Sequence, residues 1–120
     1  MTPDDFRRIA LSMPEAVEHA HMHHPDFRVG NKIFATLAYP NDAWGMVKLT
    51  PEQQNDVVRA RPRIFIPVTG AWGRRGCTSV WLSAATTPAL RPVMKMAWEN
   101  ARQEAAKPPK TRKAAGRKPL

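Results

Sequence analysis

Apolar residues recur at helical spacing in the first and last quarters of the chain and drift towards alternation between them. Phe6, Ile9, Ala10 and Met13 form the first helical stripe, which predicts a helix from Thr2-Pro3 to just before Pro14. A threonine at the N-cap accepts a bond from an orphan amide, and a proline next to it has no amide to orphan. Thr50-Pro51 repeats the signal, and Gln53 completes a capping box. The helix it predicts runs to about Ala60 with only Val57 and Val58 as apolar anchors, so it lies on the surface, and Pro62 stops it. Thr87-Pro88 opens the third, where Leu90, Val93, Met94, Ala97, Trp98, Ala101 and Ala105 give the fullest stripe in the chain.

The middle of the chain alternates. Phe27 to Val29, then Gly30-Asn31, then Lys32 to Leu37 predicts a hairpin with a two-residue turn. Asn41-Asp42 marks another turn, and Trp44 to Leu49 reads as the next strand. Arg63 to Val68 is a short strand ahead of the Gly70 turn. Thr78 to Ser83 is a further one, with Val80 and Leu82 on one face and Ser79, Trp81 and Ser83 on the other. The predicted class is α+β, a two-layer α-β sandwich with an antiparallel sheet and the N- and C-terminal helices on one face.

Composition adds limits. The 120 residues suffice for one domain, and 42% hydrophobic residues argue for a folded body. Cys77 is the only cysteine, which excludes an internal disulfide. No stretch approaches a membrane span, and the N-terminal MTPDDFRRIALSM has acids and no apolar run, so a soluble cytoplasmic protein without membrane association is expected.

Charge changes the picture more. The net +9 is concentrated in the last 14 residues, where Lys107, Lys110, Arg112, Lys113, Arg117 and Lys118 have no acid among them. Ahead of them stand 13 basic and 10 acidic residues. The sequence therefore divides into a domain, 1–106, and a basic tail, 107–120, expected to be disordered because it is too polar to bury a core. Such a polycation suits nucleic acid without sequence preference, and a solvated tail that aids solubility is the alternative.

Four local constellations carry candidate chemistry. His19, His21, His23 and His24 lie within six residues, and on an extended segment the first three share a face, where Asp26 adds a carboxylate. A transition-metal site is one reading and a pH-titrating loop another. No resident metal or other cofactor is expected. The glycine-rich Gly70 to Gly76 segment carries Trp72, Arg74 and Arg75, and is expected to form an exposed wing with arginines at its tip and Trp72 at least partly buried. The Gly30-Asn31 turn is a second candidate wing, with Arg28 and Lys32 beside it and Lys48 on the adjoining strand. Alternatively Arg28 pairs with Asp26 or Asp42 and is structural. Trp44, Trp81, Phe34 and Phe65 are expected to share the sheet face away from the helices, as core or as a stacking or ligand surface. Cys77 has no activating neighbour in sequence and reads as a structural thiol.

His21, His24, Pro25, Phe27, Arg28, Lys32, Phe34 and Thr36, then Trp44, Gly45, Lys48 and Leu49, then Trp72, Gly73, Gly76 and Thr78 resemble the three motifs of the MmcQ/YjbR family of small bacterial proteins. The resemblance runs from Pro3 to about Ala101 and leaves the basic tail outside. It implies a fold like that of CyaY, the bacterial frataxin, and a double-wing mode of DNA binding. His19, His23 and Cys77 depart from the family pattern. A frataxin-like iron ridge is not expected, because the first helix offers only Asp4 and Asp5, followed by Arg7 and Arg8. The reading that results is a non-enzymatic DNA-binding protein, nucleoid-associated in a bacterial cytoplasm. Its contacts are Arg28, Lys32, Lys48, Arg74, Arg75 and the tail cations. The alternatives are a small-ligand or protein-binding module on the aromatic face around Trp44, Trp72 and Trp81, and a metal-dependent enzyme at the histidines.

Overall fold

The computed structural model describes residues 1–107. Four helices and six strands follow in the order α1 (Pro3–Leu11), β1 (Val17–His21), β2 (His24–Val29), β3 (Lys32–Leu37), β4 (Trp44–Lys48), α2 (Pro51–Ala60), β5 (Phe65–Pro67), α3 (Ala71–Arg74), β6 (Cys77–Trp81) and α4 (Thr87–Ala106). The strands form one antiparallel sheet in the order β1-β2-β3-β4-β6-β5. The class is α+β, with the N- and C-terminal helices packed on the sheet. Among the described residues no helix is long and apolar enough to cross a membrane.

The caps explain where the helices begin. Thr2 and Thr50 each accept from the amide three residues on, and Asp5 and Gln53 return the bond to the cap amide. Helix α4 begins one residue earlier than its threonine-proline signal suggests. Thr86 is the cap and accepts from the Ala89 amide, with Pro88 still inside the first turn, where no intrahelical donor is needed.

One side of the sheet is dry. Phe6, Ile9 and Ala10 of α1 and Leu90, Met94, Ala97 and Ala101 of α4 cluster with Phe27, Phe34, Leu37, Val47, Phe65 and Val80 of the sheet. Trp98 joins this core, and its indole N–H donates to the Pro14 carbonyl at 3.0 Å. Phe34 and Phe65 therefore do not share the outer face with Trp44 and Trp81, as alternation suggests. Phe65 stands opposite the core residue Val80. Phe34 is turned inward by a bulge, because Phe27 pairs with Ala35 whereas Arg28 pairs with Ile33. The extra residue in β3 reverses the alternation there.

The first strand is the larger addition to the sequence reading. All five residues of β1 are exposed, so it carries no apolar pattern. Its turn to β2 is Met22-His23, both at positive φ (50° and 68°). Two-residue hairpins of this kind normally use Asn-Gly, so the turn has no compositional signature. The β2–β3 turn does use that chemistry, with Gly30 at φ 56° and Asn31 at 66°. Gly30 meets a second demand too. A Cβ there would lie 2.7 Å from the Ala105 Cβ, so the hairpin tip seats directly against the end of α4.

Candidate functional site

Antiparallel pairing decides which cations meet. Lys32 opens β3, Lys48 closes β4, and Arg74 and Arg75 stand just ahead of β6, so all four belong to one end of the sheet. Neighbouring strands lie about 4.8 Å apart, which brings these positions within a few strand spacings. The packing of Ala105 on Gly30 delivers the end of α4 to the same place, with Lys107 at its C-cap. Lys32, Arg74, Arg75 and Lys107 are exposed there. Lys107 makes one ion pair, to Glu104 at 3.7 Å. Lys110, Arg112, Lys113, Arg117 and Lys118 lie outside the described residues.

The glycine-rich segment is a helical turn, not a hairpin wing. Within α3 the Arg74 amide donates to Gly70 O and the Arg75 amide to Ala71 O, both at 3.1 Å. Gly76 then leaves at φ 112°, with its Cα so close to the Leu49 carbonyl that no side chain fits. Gln54, the only buried residue of α2, ties this turn down. Its amide donates to Gly73 O at 3.0 Å and to Cys77 O at 2.9 Å. Nothing in the sequence distinguishes Gln54 from its polar neighbours, because its partners are main-chain atoms far along the chain. Trp72 is 59% exposed rather than partly buried, with the Arg75 guanidinium 5.6 Å from its ring centre. One helical turn cannot present both arginines inward, and Gly73 takes the inner position.

Arg28 does not stand free beside Lys32. Its cross-strand partner is Ile33, as the two-residue turn dictates, and its guanidinium clasps Asp26. Arg28 donates from Nε to Oδ1 at 2.7 Å and from Nη2 to Oδ2 at 3.2 Å. His21 Nδ1 lies 2.7 Å from the same Oδ2. Asp26 is wholly buried. Burial pushes its carboxyl pKa up, but the bonds and charges of Arg28 and His21 outweigh that and hold it below the usual carboxylate value. The trio thus fixes β1 to β2 on the sheet face away from the helices.

That open face carries a groove of about 420 Å³. Met46, Lys48 and Cys77 form part of its floor, and His24, Tyr39 and Trp72 are among its walls. Lys48 and Cys77 are direct partners across β4 and β6. Lys48 thus belongs to this groove as well as to the basic end. Burial pushes the Cys77 thiol pKa up, against the opposing pull of Lys48 and Arg75. His24 packs edge-on against Tyr39 at 5.6 Å, and its Nδ1 is buried with no hydrogen-bond partner among the described residues.

The same sheet face holds a second, open concavity of about 910 Å³ beside the half-buried pair Trp44 and Trp81, whose ring centres are 4.7 Å apart. Arg61 and Arg63 rim it. The histidines do not converge. His19 and His21 share the open face of β1, whereas His23 sits in the turn. Among the described residues no three His, Cys, Asp or Glu side chains are placed to hold a metal ion.

Comparison with known proteins places this architecture. The family described as YjbR matches residues 11–100. The crystal structure of the Deinococcus radiodurans protein DR2400, with the domain described as DUF419, shares the fold at a TM-score of 0.65 and 18% identity. The alignment covers 89% of each chain. No curated protein matches.

Proposed function

The chain belongs to the YjbR family, and from that premise we propose that it binds DNA without catalysing a reaction, using the basic end of the sheet and the C-terminal tail. The observation that carries the proposal is the convergence of Lys32, Arg74, Arg75 and Lys107 on one end of the sheet, where α4 also hands the chain to the tail cations. Exposed lysines and arginines in that number contact phosphates and release counterions. The contacts come from one hairpin tip and one helical turn, rather than from two hairpin wings. Arg28 takes no part, being held by Asp26. No base-reading element is implied, so the binding is to the backbone and independent of sequence. Replacing Arg74 and Arg75 together with Ala is expected to weaken DNA binding several-fold at low salt and to lower its salt dependence. Unchanged affinity in a folded variant would remove α3 from the interface.

A second reading rests on Trp44 and Trp81. Two packed, half-buried tryptophans at an open concavity rimmed by Arg61 and Arg63 suit a small ligand or a protein segment. A Trp81→Ala variant separates the two, because it should leave DNA affinity unchanged.

A further inference from the structure

We propose that the groove between β4, β6, α3 and the β3–β4 loop binds a small flat aromatic acid, whose carboxylate meets Lys48 and whose ring lies between Tyr39 and Trp72. The proposal is independent of DNA binding and concerns the open sheet face.

The groove has the size expected of a small-ligand site, about 420 Å³ against a usual range from roughly 300 to 1,000 Å³. Its surface is mostly apolar, supplied by Met46 on the floor and by Tyr39 and Trp72 at the sides. Trp72 and Tyr39 are 59% and 56% exposed, an unusual surplus of aromatic surface beside one cavity. Aromatic rings at the mouth select a flat, apolar body.

Charge selects the other end of the ligand. Lys48 is half-buried and makes no ion pair among the described residues. The nearest buried carboxylate on this face, Asp26, is already occupied by Arg28 and His21. An ammonium left without a counter-charge beside an apolar cavity asks for an anion. His24 lines another part of the groove, and its Nδ1, closed off from solvent, has no partner among the described residues. Buried polar atoms are rarely left that way. Tyr39 holds the imidazole edge-on, so the ring is positioned before anything binds. The ligand's carboxylate accepts from the Lys48 ammonium. A second basic segment in the groove would be the wrong sign.

Indole-3-acetate and its neutral amide, indole-3-acetamide, are suitable probes, because they differ in charge and hardly in shape. Titration calorimetry with the full chain should show saturable, one-to-one binding of the acid and at least tenfold weaker binding of the amide. Lys48→Met should abolish that preference while leaving the amide unaffected, and Trp72→Ala should weaken both. Equal affinities for acid and amide with the unaltered chain would overturn the proposal, as would no saturable heat from either. The acid–amide comparison needs no variant, so a misfolded Lys48→Met protein leaves the test intact. Sedimentation in the absence of ligand provides a further check. A monomer is expected, and a dimer that buries Trp72 would overturn the proposal. DNA affinity of a Tyr39→Ala chain distinguishes the two sites, because Tyr39 follows β3 and lies away from the basic end; loss of indole-3-acetate binding with DNA binding retained leaves the proposed function standing.

Discussion

Asp26 shows how one buried carboxylate decides what the residues around it can do. It accepts three bonds, two of them at 2.7 Å, and thereby removes Arg28 from the pool of free cations. Asp26→Asn would leave Arg28 and His21 with a neutral partner, and should cost about 2–3 kcal/mol of stability at neutral pH. The pH dependence follows from the lowered carboxyl pKa. A group held below its unfolded value of 3.8 contributes stability above that value, and loses it as pH falls through the folded value. Denaturant titrations of wild type and variant should therefore differ most near neutrality and converge in acid below about pH 4. A constant difference across that range would show that the charge on Asp26 is not what stabilises the trio. At this scale the sequence was partly legible. The Asp26–Arg28 pair is two residues apart on one strand and can be foreseen as an alternative. Gln54 and the Lys48–Cys77 contact cannot, because each depends on strand pairing between distant segments.

At the scale of elements, the readable parts are those with a chemical signature. Threonine-proline caps mark α1, α2 and α4, and Gly30-Asn31 marks its hairpin. The elements missed are those whose residues suit another state. β1 is exposed on every position, so nothing in Val17 to His21 alternates. Three glycines make the segment around α3 look like a loop, although Gly73 and Gly76 serve close approach to neighbouring main chain and Gly70 supplies a positive φ of 86°. The Met22-His23 turn yields a test of this explanation. Both residues occupy a region that costs a non-glycine residue about 1 kcal/mol. Replacing them with Asn-Gly should raise stability by about 1 kcal/mol, the relief being offset in part by the extra freedom of glycine in the unfolded chain. A thermal melt that falls instead would mean that Met22 or His23 makes a stabilising contact that outweighs the strain. Met22, 82% exposed, has little to lose.

For the whole molecule, the net charge of +9 matters less than its distribution. The part before the tail has only a small basic excess, yet antiparallel pairing collects Lys32, Arg74 and Arg75 at one end, where α4 also brings Lys107, the first tail cation. The aromatic groove and the Trp44–Trp81 concavity lie on the open face, away from α1 and α4. The proposed functions thus assign the basic end of the sheet to phosphates and the open face to small ligands. The central claim is that the folded body contacts DNA itself, beyond whatever its tail does. The most direct measurement is the dependence of DNA affinity on salt, for the full chain and for a chain whose six tail cations, from Lys107 to Lys118, are glutamine. Each phosphate contact contributes about 0.9 to the log–log slope, so neutralising the tail should remove about 5. The account predicts that binding persists at low salt with a residual slope of about 3, which falls further when Lys32, Arg74 and Arg75 are replaced by Ala. If the chain with a neutral tail does not bind DNA at low salt, the body has no DNA-binding end and the central claim is wrong.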